Sequence, residues 1–111
     1  MHGFLEYLIE QVKAAEEEIK KLEAEGRQDE ADFCKAKRNI YEICNTVTNA
    51  LWSRPEAGMK AVKAQFERFR TQWSAALDRA KASGDARNTV IEETKLAALE
   101  DVISHFAEVR S

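Results

Sequence analysis

The sequence predicts an all-α protein, an antiparallel up-down-up-down four-helix bundle, from three observations. Apolar residues recur at alternating spacings of three and four along nearly the whole chain, which is the period of a helix face. The composition sets 44% hydrophobic and 33% charged residues beside only 4 glycines and 1 proline in 111 residues, too apolar for disorder and too poor in turn formers for a many-stranded fold. The periodicity breaks at Gly26, at Ser53-Arg54-Pro55-Glu56 and at Ser83-Gly84-Asp85, and such short links make successive helices run antiparallel. Residues 1–111 are read as a single domain, long enough to bury one core without metal or disulfides.

The first segment, about 4–25, carries the seam Leu8, Val12, Ala15, Ile19 and Leu22. Gly26 then suits the left-handed position that follows a helix. In the second segment, about 30–52, Asp29 is read as the N-cap, with Glu30 and Asp32 in the first turn, where acids complement the helix dipole. Its seam is Phe33, Ile40, Cys44, Val47 and Leu51, beside a lesser row of Cys34, Tyr41 and Trp52.

The third segment, about 55–82, opens with Pro55, and Ser53 and Glu56 have the spacing of a capping box; proline in a first turn gives up no hydrogen bond. Its seam is Met59, Val62, Phe66, Phe69, Trp73, Ala76 and Ala80. The alternative is a helix kinked at Pro55, leaving two hairpins splayed or exchanged between chains, and an interior proline costs about 3 kcal/mol. The fourth segment, about 86–109, follows Gly84-Asp85 by the logic of the first break and carries Ile91, Ala98, Val102 and Val109. A second row on it, Leu96, Leu99, Ile103 and Phe106, is more apolar surface than one stripe requires. This surplus is read as an interface, and the expectation is a homodimer formed through the fourth helix.

The stretch "FERFRTQW" at 66–73 mixes rings and guanidiniums, as a single-strand nucleic-acid surface would. On the helical projection the rings fall on the seam, with Lys63, Arg70 and Lys81 along its border, so the rings are read as core. Charge is uneven: residues 1–26 hold seven acids against three bases, and residues 54–83 hold three against seven. The row Glu16/Glu23 is read as matching Lys63/Arg70 across the bundle. A net charge of −3 and a pI near 5.5 make nucleic acid a weak expectation as partner.

Chemistry is sparse. A di-iron bundle site needs inward Glu-x-x-His motifs, and the residue three before His105 is Val102. Asp101 stands four before it and is read as an ordinary surface partner. There is no phosphate loop or nucleophile motif, and neither a cofactor nor a metal is expected. Cys34 and Cys44 lie ten apart on one helix, roughly 15 Å, too far to bridge each other. Lys37 and Lys95 sit inside apolar arcs at a similar predicted depth near Glu16, which suggests a small anionic ligand held between them. Trp52 at mid-chain suggests the small secreted helical hairpins with a Trp-x-Gly turn, but Ser53-Arg54 follows it and no family is assigned. No apolar run reaches the ~18 residues of a membrane span, and the start lacks a signal peptide's basic region, so a cytoplasmic location is expected. The function expected is a non-enzymatic module acting through protein contacts, with a ligand-responsive bundle and a nucleic-acid accessory as alternatives.

Overall fold

Helices form wherever the apolar period runs unbroken: α1 (His2–Ala24), α2 (Gln28–Leu51), α3 (Pro55–Ala82) and α4 (Ala86–Phe106). The structure is a computed structural model and describes residues 2–52 and 55–109. Among the described residues there is no strand. The four-helix bundle expected from the sequence is what forms, and α3 begins at the expected proline. The predicted capping residue Ser53 lies outside the described residues.

Both glycine breaks work as read. Gly26 and Gly84 have φ of 73° and 70°, a region that costs a residue with a Cβ roughly 1–2 kcal/mol. The amides that follow close the helix ends, Arg27 N–H to the Leu22 carbonyl at 2.9 Å and Asp85 N–H to the Ala80 carbonyl at 3.2 Å, the Schellman arrangement. Asp85 then caps α4 by accepting from the Asn88 amide at 3.0 Å. The Asp29 cap does not form: α2 begins at Gln28 with Arg27 at the cap position and no side-chain cap bond. The Schellman turn leaves only Arg27 between glycine and helix, so Asp29 falls inside the first turn, where it faces the helix dipole.

The packing has a short and a long diagonal. α2 touches α1, α3 and α4, and α4 touches α1, α2 and α3, whereas the backbones of α1 and α3 do not meet. The rings of Phe4 and Phe66 approach across that long diagonal, with centroids 6.5 Å apart. The result is a slab of 44 × 33 × 20 Å. Its long dimension is set by α3, whose 28 residues span ~42 Å. Phe4, Leu8, Ile40, Tyr41, Cys44, Val62, Phe66, Leu99, Val102 and Phe106 are all in one buried core.

This geometry corrects two expectations. The second apolar row of α4 is occupied within the chain: Leu99 is 0% and Phe106 6% exposed, while Leu96 and Ile103 pack half-buried against the core. A helix with three neighbours needs a wider apolar arc than one with two. The lesser row of α2 has the same cause, since Tyr41 is 2% exposed. The match of Glu16/Glu23 to Lys63/Arg70 does not form either, because α1 and α3 are the separated pair. Glu23 instead pairs with Lys35 of α2 at 3.2 Å, and Arg70 makes two bonds to Glu100 of α4, at 2.7 and 2.9 Å.

Candidate functional site

The three residues read as an anion site are not brought together. Lys37 is exposed, beside a shallow polar depression with Gln11, Tyr41, Thr94 and Asp101. Lys95 turns toward α3, with its Nζ 5.5 Å from the ring centre of Trp73 and 3.3 Å from Glu92. Glu16 lines a different groove, with Ile9, Val12, Lys13 and Glu42. Trp73 in turn stacks flat on Phe69, with centroids 4.7 Å apart, so these half-buried rings are covered on one side by Lys95 and each other. Of the bases bordering them, Arg70 is held by Glu67 and Glu100, which leaves its charge little free for phosphate.

A polar junction not foreseen in the sequence sits where α1, α2 and α4 meet. Tyr7 of α1 and Tyr41 of α2 both donate to Oδ2 of Asp101 on α4, Tyr41 at 2.9 Å. His105, one turn on, stacks on Tyr7 with centroids 3.8 Å apart, and its Nδ1 lies 3.0 Å from the Asp101 carbonyl oxygen. Burial first, and then hydrogen bonding to Asp101, push both phenols well above the usual tyrosine range. Groups so held neither give nor take a proton near neutrality. The junction therefore ties α1, α2 and α4 together at one carboxylate. The cysteines are equally quiet: burial pushes the Cys44 thiol up to about 12 and raises Cys34 as well, while a reactive thiol needs the opposite shift. Among the described residues no group of three or more His, Cys, Asp or Glu could hold a metal, and no helix is long and apolar enough to cross a membrane.

An opening walled by large apolar side chains lies between the first half of α3 and the last turn of α4. It encloses about 310 Å³, with Met59, Phe66, Ile103 and Phe106 on its walls and Lys60, Lys63 and Glu67 along its α3 edge. It exists because α4 ends at Phe106 while α3 continues past it, so the facing wall stops short. Two of the residues read as an interface, Ile103 and Phe106, thus line an opening, although the row as a whole faces inward. The signal available in the sequence was the placing of Lys60 one residue after Met59 and of Lys63 three before Phe66, a seam edged by cations on one side. No family model matches the chain, and comparison with curated proteins and with solved structures finds no match.

Proposed function

We propose that the protein is a non-enzymatic binding module whose working surface is the α3/α4 groove. The observation that carries this reading is the groove itself: apolar side chains converge at an open site of about 310 Å³, at the lower end of the range of small-molecule sites. Its support from the rest of the molecule is that the phenols of Tyr7 and Tyr41 are engaged on Asp101, and that burial raises both thiols, the opposite of what a reactive thiol needs. This keeps the non-enzymatic class expected from the sequence, but takes the alternative of a ligand-binding bundle over a module acting through protein contacts. It moves the contact from the second row of α4, whose Leu99 is fully buried, to the place where Ile103 and Phe106 face Met59.

The test is a titration of the ¹⁵N-labelled protein with a small neutral apolar probe, n-octanol. Amide shifts confined to Met59, Lys63, Phe66, Ile103 and Phe106 are expected, and Ile103→Trp, which fills the groove, should remove them while the thermal midpoint stays unchanged. Shifts centred on the Ile9/Glu42 groove, or none at all, would contradict the proposal.

A further inference from the structure

We infer that the occupant of this groove is a small amphipathic anion, a free carboxylate or similar monoanion on a compact apolar body, with its head at Lys60 and Lys63 and its tail on Met59, Phe66, Ile103 and Phe106. The inference rests on the proposed role of the groove and adds the chemistry of what fills it.

Charge gives the first argument. Lys60 and Lys63 are three apart on α3, hence on one face, and both border the groove. Neither forms an ion pair among the described residues, whereas Arg70, about two turns beyond Lys63, is satisfied by Glu67 and Glu100. Lysine stems lie readily along an apolar wall with the ammonium held at its rim, so the two side chains can close over a ligand without losing hydration when it is absent. The acid on the rim, Glu67, is turned to Arg70 at 3.3 Å, which offsets its repulsion.

Orientation follows from the helix ends. The last turn of α4 reaches the groove at Ile103, Phe106 and Ala107, and a helix C-terminus is the negative end of its dipole. An anionic head is therefore disfavoured on the α4 side and favoured on the α3 side, where the lysines are. The tail takes the remaining walls, which are the apolar ones.

Size excludes a docked helix. The α3 wall, from Met59 to Glu67, is ~12 Å long, but the α4 wall, from Ile103 to Ala107, is only ~6 Å. A helix bound in a groove needs anchors at i, i+3 or i+4, and i+7, which is ~10 Å of both walls. About 310 Å³ instead holds on the order of ten water-sized groups at ~30 Å³ each, the scale of a short-chain acid.

The experiment compares three monomeric probes with the same tail, octanoate, n-octanol and octyltrimethylammonium, by calorimetric titration of wild type and of the Lys60→Gln/Lys63→Gln variant. Octanoate should bind wild type roughly 3- to 30-fold more tightly than octanol, as two exposed ionic contacts allow, with the cationic probe weakest. In the variant, octanoate should fall to the affinity of octanol, and octanol and the melting temperature should be unchanged. Equal binding of octanoate and octanol to wild type overturns the anion inference and leaves the groove reading standing, whereas no binding of any probe overturns both. Octanoate binding that survives in the variant also overturns the inference. So does sedimentation with phosphatidylglycerol vesicles without octanoate binding, which would assign the lysines to a lipid surface.

Discussion

The hydroxyl of Tyr41, on α2, donates to the carboxylate of Asp101, on α4, at 2.9 Å. It joins the two helices of the short diagonal at a point where Tyr41 is 2% exposed, and Tyr7 brings α1 to the same oxygen. A hydrogen bond to a charged group contributes about 1.5–3 kcal/mol, and a hydroxyl left without its acceptor costs its desolvation. Asp101→Ala should therefore destabilise the fold by about 2–4 kcal/mol in urea titration, more than Tyr41→Phe. A double-mutant cycle of the two should return a coupling of about 1 kcal/mol or more; additive effects would show that the bond is not formed.

The same junction gives the protein an alkaline limit. Cys44 and the two tyrosines hold their protons more tightly folded than unfolded. Above pH 9.0 for the thiol and pH 10.0 for the phenols, the unfolded chain releases protons that the folded chain keeps, so stability falls as pH rises. Below these values all three are protonated in both states and add no slope. Unfolding free energies from urea titration between about pH 8 and pH 11 should fall by up to ~1.4 kcal/mol per pH unit for each group, and the fall should be shallower in Tyr7→Phe/Tyr41→Phe. An identical slope in that variant would remove the junction from the explanation.

Two glycines in helices should respond oppositely to alanine. A Cβ on Gly3 would meet nothing within 4 Å, whereas one on Gly58 would lie 2.8 Å from the Trp52 ring and 3.3 Å from its Cα. Gly3→Ala should be neutral or stabilising by up to ~1 kcal/mol, since glycine is a poor helix residue. Gly58→Ala should destabilise by about 1–3 kcal/mol, because the Trp52 backbone cannot step aside as a side chain can. Thermal unfolding of the pair decides it, and equal effects would mean that Trp52 does not pack on α3 as described.

Charge introduced at Leu99 separates an internal row from an interface. Leu99 is 0% exposed, so Leu99→Glu buries an unpaired carboxylate, at a cost of several kcal/mol, and should abolish cooperative unfolding. Recovery of a folded monomer from a dimeric wild type, seen by sedimentation and circular dichroism, would restore the row to an intermolecular role.

How far the sequence reveals all this depends on what each residue answers to. Gly26, Gly84, Asp85 and Pro55 act through their own backbone geometry, and their roles were legible because no neighbour is needed to define them. The seams were legible too, since Leu8, Ile40, Phe66 and Val102 face inward in any bundle. The second rows on α2 and α4 were seen, but their meaning depends on which diagonal is short, and periodicity along one helix carries no information about that. For the same reason Asp101 looked like a surface partner of His105, because Tyr7 and Tyr41 lie 94 and 60 residues away. Lys37 and Lys95 have different neighbours, Tyr41 and Thr94 for the one and Trp73 and Glu92 for the other, and a projection of one helix cannot say which side of the bundle a residue meets. The groove at Met59 and Ile103 depends on where α4 stops, and helix ends are the least certain feature of any sequence reading.

The measurement that tests the central claim most directly is native-state amide hydrogen exchange, resolved by residue. If α2 and α4 form the inner pair, the amides of Ile40–Cys44 and Ala98–Val102 should be the slowest in the protein and exchange only by global unfolding, with the middles of α1 and α3 opening at lower free energy. Exchange of Ala98–Val102 at or before that of α1 would contradict the account.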